Sequence, residues 1–423
     1  MISFKKEFML GAATAAHQVE GNNINSDFWV LEHLPGTMFK EPSLGAVDHY
    51  NRYEEDITLL KEAGLNAYRF SIEWARIEPA QGEWSEEAIN HYRKKIAFCR
   101  SNGIEPIVTM HHFTSPKWVV QKGGWSNPET ANYFAIYCEK LVKELGAEMK
   151  YICTINEANM GLQIAKLMKD MQSQIGDVQV GIDAGIARRE AMIAYGREAM
   201  IQHQINPSNI FLSSGSGVVG NAIAIQAHCK ARDTMKAICP HLKIGITLSL
   251  HDFQAHEGGD HEAEMEWVEE FTQYLPYIYK DDFIGVQNYS RKLVGATGRV
   301  KPPADAPLTQ MGYENYPTAI SNVVRKVAEG FKGEIIVTEN GIATNDDSER
   351  VTFIKEATKG IQACIADGIP VRGYMHWTLL DNFEWMLGYD RTFGLIAVDR
   401  TTQTRRPKES LTVLGKLREE AFE

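Results

Sequence analysis

Short apolar runs rich in Val, Ile, Tyr and Thr recur along the chain, at residues 9–16, 65–72, 106–110, 151–156, 242–250, 283–290, 334–339 and 371–379. They lack a clean period of two, which is the mark of parallel strands buried on both faces. Longer amphipathic stretches lie between them. Residues 85–102 follow a serine cap, carry acids in the first turn and stop at Gly103. Asn127-Pro128-Glu129 opens the next helix, with proline at its first helical position, and Gly146 closes it. Residues 187–203, 220–238, 261–275, 316–330, 350–368 and 407–422 also read as helices. Eight strand–helix units predict an α/β protein, a single (β/α)8 TIM barrel over residues 1–423. A doubly wound open sheet is the competing architecture. It wants a glycine-rich phosphate loop after the first strand, which Gly11-Ala12-Ala13-Thr14 does not supply. Residues 160–219 are the least regular, and are expected to hold the connection after strand four plus extra helix.

Composition narrows the partners. Hydrophobic residues make up 44% and charged residues 23%, as in ordinary soluble globular proteins. A formal net charge of −11 argues against nucleic acid and for a neutral or cationic ligand. The six cysteines are scattered and form no CxxC pair, so neither a zinc site nor a disulfide scaffold is indicated. Free thiols in a reducing compartment are the expectation. The apolar run after Lys5-Lys6 is short, holds Thr14 and leads into His17-Gln18, so it reads as a buried first strand rather than a secretory leader. No stretch is long enough to span a membrane, and a cytoplasmic location without a membrane partner is expected. Oligomeric state is left open.

The chemistry concentrates at the ends of two runs, in Thr154-Ile155-Asn156-Glu157-Ala158 and Val337-Thr338-Glu339-Asn340-Gly341. In a barrel of this kind, catalytic side chains stand at the carboxyl ends of strands. Two carboxyls presented there are what glycosidic bond cleavage needs: one protonated to donate to the leaving oxygen, one ionised to attack the sugar. Other strand ends are polar and aromatic: His17-Gln18, Arg69, His111-His112-Phe113, Asn288-Tyr289, Trp377 and Asn382-Phe383-Glu384-Trp385. Such a ring suits a sugar, whose hydroxyls take amide and carboxylate partners and whose apolar faces stack on aromatics. Plainer roles compete. Each glutamate alone fits an ordinary strand end or turn. His111 fits a core histidine, and tandem histidines lack the acidic spacing of a metal site. Trp74, Trp118 and Trp125 fit packing positions, Glu73 fits a structural ion pair, and Trp29 fits either role.

Over residues 4–399 the chain resembles glycoside hydrolase family 1, the retaining β-glucosidase family. The resemblance is carried by Gly11-Ala12-Ala13-Thr14-Ala15 through Gln18-Val19-Glu20-Gly21, by Tyr68-Arg69-Phe70-Ser71-Ile72-Glu73-Trp74, by Lys122-Gly123-Gly124-Trp125, and by Gly388-Tyr389 through Phe393-Gly394. It implies a (β/α)8 barrel with Glu157 as acid/base and Glu339 as nucleophile. Gln18, His112, Asn156, Glu384 and Trp385 would hold sugar hydroxyls, Trp377 would form the stacking floor, and Arg69 and Tyr289 would flank the nucleophile. A fixed guanidinium lowers a neighbouring carboxylate's pKa, and Glu157, facing that anion across roughly 5–5.5 Å, should have its own raised. No cofactor or metal is implied. The partners implied are small β-glycosides or short oligosaccharides such as cellobiose.

Departures from the family pattern are specific. Ala158 stands where proline is usual, which is expected to loosen the acid/base loop. Gln287-Asn288 stand before Tyr289 in place of Asn-Tyr, Phe113 replaces Trp, Thr114 replaces Asp, and His17 is unusual beside Gln18. The stretch after Asn159 lacks the familiar glycine–proline-rich loop, so aglycone preference transfers least. Relatives acting on 6-phosphorylated sugars carry Ser and a nearby Lys where Glu384 and its followers stand, and Glu384 would repel a phosphate. Glu157 argues against a thioglucosidase, whose members lack a carboxylate acid/base. The reading is an exo-acting β-glucosidase with β-galactosyl or β-fucosyl side activity and transglycosylation in competition with hydrolysis. The alternatives are a 6-phospho-β-glucosidase and, further off, a sugar-binding pseudoenzyme.

Overall fold

The computed structural model describes residues 4–175, 184–213 and 217–419. Its central strands are β1 (Met9–Ala13), β2 (Ala67–Ser71), β3 (Glu105–His111), β4 (Tyr151–Ile155), β5 in two halves (Lys243–Gly245 and Thr247–Ser249), β6 (Phe283–Gln287), β7 (Glu334–Asn340) and β8 (Val371–Trp377). All pair in parallel. From β1 the ladder runs through β2, β3 and β4 to the first half of β5. In the other direction it runs through β8, β7 and β6 to the second half of β5. Ile246 joins the two halves, so the sheet returns to its own start as a barrel.

The residues of β1, β2, β4 and β6 are all buried, which is why their sequences show no polar alternation. One apolar cluster draws Met9, Ala13, Ala67, Ile107, Cys153, Ile336 and Met375 from six of the strands. A larger one joins strands to the surrounding helices. Each fully buried Leu, Ile, Val or Phe stabilises the fold by roughly 1.5–3 kcal/mol relative to exposure. Two glycines admit close strand contact. A Cβ on Gly11 would fall 1.9 Å from the Ala67 carbonyl oxygen, and one on Gly245 would fall 2.1 Å from that of Phe283. Gly11 therefore serves strand packing.

Several element bounds differ from expectation. The helix expected at Asn127-Pro128-Glu129 is Thr130–Leu145; Pro128 lies in the turn before it, where Asn127 Oδ1 accepts from the Glu129 N–H at 3.0 Å. A helix at His49–Glu62 went unpredicted, although Tyr53, Ile57 and Leu60 share its buried face. Its N-cap, Asp48, has a φ of 53° and makes no side-chain cap bond, so the usual start signal is missing. The irregular stretch holds helices Met160–Ile175, Ala184–His203 and Gly217–Ile238; residues 176–183 and 214–216 lie outside the described residues. The last helix is Glu409–Glu419, because Thr404–Pro407 is a strand paired with Ile396–Asp399; residues 420–422 of the expected helix lie outside the described residues. A side sheet of Asp252–Ala255, Arg291–Gly295 and Gly298–Val300 follows β5 and β6. The six cysteines are free. No helix among the described residues is long and apolar enough to cross a membrane.

Candidate active site

The barrel brings the two glutamates to one end. Glu339 lies near the carboxyl end of β7, just past a register shift in its pairing with β6 between Val337 and Glu339. Such an irregularity re-aims a side chain that a regular ladder would direct elsewhere. Glu157 lies two residues beyond β4 with a φ of 44°, in the left-handed region that non-glycine residues rarely occupy. Both side chains are buried.

Arg69, on β2 and buried, organises the centre. Its Nη1 donates to Glu339 Oε1 at 2.6 Å, its Nη2 to Asn156 Oδ1 at 2.5 Å, and its Nε to Thr109 Oγ1 at 3.1 Å. The Tyr289 hydroxyl donates to the other Glu339 oxygen, Oε2, at 2.7 Å. Both carboxylate oxygens of Glu339 thus accept from fixed donors. Breaking such a buried pair by removing one partner typically costs about 3–5 kcal/mol.

Burial pushes both carboxyls above the usual range, but against different opposition. For Glu339, Arg69 and the Tyr289 hydroxyl pull back, and the net position still lies above the ordinary value. The guanidinium pulls Glu339 in the expected direction, and desolvation outweighs it. For Glu157, burial is reinforced by the negative charge of Glu339 and, more weakly, of Glu384; Arg69 and Ser249 oppose, and the carboxyl ends well above its ordinary value. The first proton therefore comes off Glu339 and the second stays on Glu157. That is the division into anion and acid which two environments can impose on like groups.

The predicted sugar contacts ring this pair. Gln18, in the short helix Ala16–Val19 after β1, donates to the Phe383 carbonyl at 2.7 Å and to Glu384 Oε2 at 3.4 Å. Its own Oε1 has no hydrogen-bond partner among the described residues. Glu384 keeps some exposure, and desolvation, with Glu339 adding to it, pushes its carboxyl up to about 8. His112 follows β3. Its Nε2 faces Asn156 Nδ2 at 3.2 Å, and burial followed by the charge of Arg69 keeps the imidazole neutral. The His112 ring lies near-parallel to Trp377, centroids 5.7 Å apart, and to Trp385, 6.0 Å apart. All ten residues expected here, Gln18, Arg69, His112, Asn156, Glu157, Tyr289, Glu339, Trp377, Glu384 and Trp385, meet at this one end.

The family model for glycosyl hydrolase family 1 matches residues 1–173 and 271–421. Beta-glucosidase A of Thermotoga maritima is 32% identical over 441 residues, covering 96% of this chain and 96% of that protein. The chain belongs to glycosyl hydrolase family 1. A 1,4-beta-D-glucan glucohydrolase of Thermotoga neapolitana is 30% identical, covering 97% of each. Among solved structures, beta-glycosidase BGL167 matches with a TM-score of 0.89 and 41% identity, covering 99% of this chain and 98% of that one. The Thermotoga maritima beta-glucosidase in complex with noeuromycin matches with a TM-score of 0.83 and 26% identity, covering 100% and 99%. The protein is a glycoside hydrolase with a barrel shared by these relatives.

This family 1 chain compensates for its departures from the pattern. The Ala158 N–H donates to the Thr247 carbonyl at 3.1 Å, a bond that proline cannot make. Gln287 keeps the link to Asn156, its Nε2 donating to Asn156 Oδ1 at 2.7 Å. Thr114 donates to Glu73 at 2.8 Å, and Glu73 caps the short helix Trp74–Ile77, so it is a cap rather than an ion-pair partner. His111 is a core histidine, bonded to Ser115 at 3.0 Å and packed on Trp125. Trp74 and Trp125 are core, and Trp118 donates to the Glu78 carbonyl. Trp29 packs on His33 with the rings tilted by 36°, centroids 4.4 Å apart. His17, the unusual neighbour of Gln18, lies parallel to Trp385 at 5.9 Å. Thr247 and Ser249 were not expected to matter. Their signal was two hydroxyls two residues apart in an otherwise apolar run.

Proposed function

We propose that this glycoside hydrolase is a retaining, exo-acting β-glucosidase that removes terminal β-D-glucosyl residues through a covalent glycosyl-enzyme, with Glu339 as nucleophile and Glu157 as acid/base. The observation that carries the reading is the asymmetry between the two carboxyls: Glu339 gripped on both oxygens by Arg69 and Tyr289, Glu157 desolvated beside it. In the first half-reaction a Glu339 oxygen attacks the anomeric carbon, the bond to the leaving oxygen breaks, and the Glu157 proton passes to that oxygen. Forming the ester removes the Glu339 charge, which lowers the pKa of Glu157. In the second half, water attacks the anomeric carbon, its proton goes to Glu157, and the Glu339 ester bond breaks. An acceptor alcohol in place of water gives transglycosylation. Asn156, whose Oδ1 accepts from Arg69 and Gln287, would bond the 2-hydroxyl, a contact that strengthens in the transition state.

Relatives named beta-glucosidase and glucan glucohydrolase support small β-glucosides and short oligosaccharides such as cellobiose as substrates. Gln18 and Glu384 can meet either an equatorial or an axial 4-hydroxyl, so galactosides and fucosides are side substrates. Glu384 also bears on the 6-phosphate alternative: with its carboxyl pushed up to about 8, it is ionised above that pH, where a phosphate dianion would meet a like charge. Above that pH, hydrolysis of p-nitrophenyl β-D-glucoside is expected to exceed that of its 6-phosphate by on the order of 10²-fold in kcat/KM, the scale of a like-charge clash. Turnover of the phosphorylated substrate alone would overturn this reading of Glu384.

A further inference from the structure

We infer that Thr247, in the second half of β5, is a positioning residue for the acid/base: its hydroxyl fixes the left-handed backbone at Glu157 and so sets where that carboxyl stands. This rests on Glu157 being the acid/base, as proposed above. A non-glycine residue stays in the left-handed region only where its surroundings over-determine it. Thr247 Oγ1 accepts from the Glu157 N–H at 2.9 Å, and the Thr247 carbonyl accepts from the Ala158 N–H at 3.1 Å. On either side, the Asn156 N–H donates to the His111 carbonyl at 2.8 Å, and the Met160 N–H donates to the Glu157 carbonyl at 2.9 Å. Asn159 ties the turn to the same strand: its Oδ1 accepts from the Ser249 N–H at 2.9 Å, and its Nδ2 donates to the Ser249 carbonyl at 2.7 Å.

The Thr247 side chain is buried and itself fixed. Its methyl sits against Gly285 of β6, where an added Cβ would fall 2.5 Å from Thr247 Cγ2. A β-branched side chain pinned by its methyl keeps one χ1, so Oγ1 stays turned toward Glu157. The hydroxyl proton faces the Ile155 carbonyl at 3.4 Å and Asn156 Oδ1 at 3.5 Å. One side chain therefore links the acid/base to Asn156, which Arg69 links in turn to Glu339. Valine would keep the methyl seat and the shape, but it cannot accept a hydrogen bond. The Glu157 N–H would be left buried and unpaired, and the turn would shift to find it another acceptor. That shift swings the Glu157 side chain. A general acid must stand within hydrogen-bond reach of the leaving oxygen, so the displacement costs rate only where a proton has to be delivered.

The test compares kcat/KM on two β-D-glucosides, a measure of the glycosylation step. The phenyl compound needs a proton on its leaving oxygen, and the 2,4-dinitrophenyl compound does not. In Thr247→Val, kcat/KM on the phenyl glucoside is expected to fall by on the order of 10²-fold, the scale of a ~1 Å misplacement of a reacting group. On the dinitrophenyl glucoside it should stay near wild type. Thr247→Ser, which keeps the oxygen, should stay near wild type on both. A merely structural role lowers both substrates alike. Equal loss on the two, no loss on the phenyl glucoside, or Thr247→Ser as impaired as Thr247→Val overturns the assignment. If Thr247→Val does not fold, Thr247→Ala, which lacks the same oxygen, carries the comparison. Glu157→Ala separates the two layers. If it loses both substrates equally, the acid/base reading itself falls; if it loses the phenyl glucoside selectively and Thr247→Val does not, only the role of Thr247 falls.

Discussion

Glu339→Gln is expected to lower kcat/KM on aryl β-glucosides by on the order of 10⁴-fold or more, the scale seen when a covalent nucleophile is removed from a preorganised site. The amide is nearly isosteric with the carboxylate, so the pocket keeps its shape and sugar binding should survive. What is lost is the anion. Arg69 Nη1, now 2.6 Å from Glu339 Oε1, would face a neutral group, and an amide cannot form the glycosyl ester. The same change leaves a buried guanidinium without its counter-charge, so the melting temperature should fall as well; breaking a buried pair costs about 3–5 kcal/mol. Measuring kcat/KM and the thermal midpoint on one preparation separates the chemical loss from the structural one. Near-wild-type turnover would remove Glu339 from the mechanism.

Glu157→Ala should give a different signature. Leaving groups that depart without protonation still form the glycosyl-enzyme at a rate near wild type, while unactivated alcohols do not. Deglycosylation then stalls, because no base activates water, and a burst of phenol followed by slow turnover is the expected trace. Azide, which needs no deprotonation and fits the space left by the carboxyl, should restore turnover and yield a β-glucosyl azide. The pH profile supplies a second check. A carboxyl raised by burial and by Glu339 is protonated below its shifted pKa, so the wild-type rate falls as pH rises through that value. In Glu157→Ala this basic limb should vanish for activated substrates. A surviving limb, or no effect of azide, would place the acid/base elsewhere.

The sequence pattern carried the barrel and most of the site because both rest on local signals. Strands buried on both faces leave continuous apolar runs, and each run ends where its polar side chains must stand. That is how Glu157, Glu339, Arg69 and Trp377 could be located before any contact was known, with the family resemblance supplying their roles. What escaped notice depends on pairing across the barrel. The run at 242–250 reads as one strand, yet Lys243–Gly245 pairs with β4 while Thr247–Ser249 pairs with β6. The break at Ile246 has no marker in periodicity. The value of Thr247 and Ser249 follows from that break, since only closure sets them against Glu157. The bond made by Ala158 was hidden for a related reason: the loss of proline is visible in sequence, but the N–H gained finds a partner only because the Thr247 carbonyl lies opposite. The side sheet after β5 and β6 escaped because its strands are short and charged.

The central claim is that Glu339 becomes covalently glycosylated while Glu157 manages the proton. The most direct measurement is mass analysis of the enzyme after reaction with 2,4-dinitrophenyl 2-deoxy-2-fluoro-β-D-glucoside, followed by peptide mapping of the adduct. Fluorine at C2 slows both half-reactions, and the activated leaving group lets the first outrun the second. One fluoroglucosyl group per chain, on the peptide containing Val337-Thr338-Glu339-Asn340, with activity recovered when an acceptor sugar is added, is the result predicted. An enzyme that hydrolyses the ordinary glucoside but takes up no label, or carries it on another residue, would contradict the account.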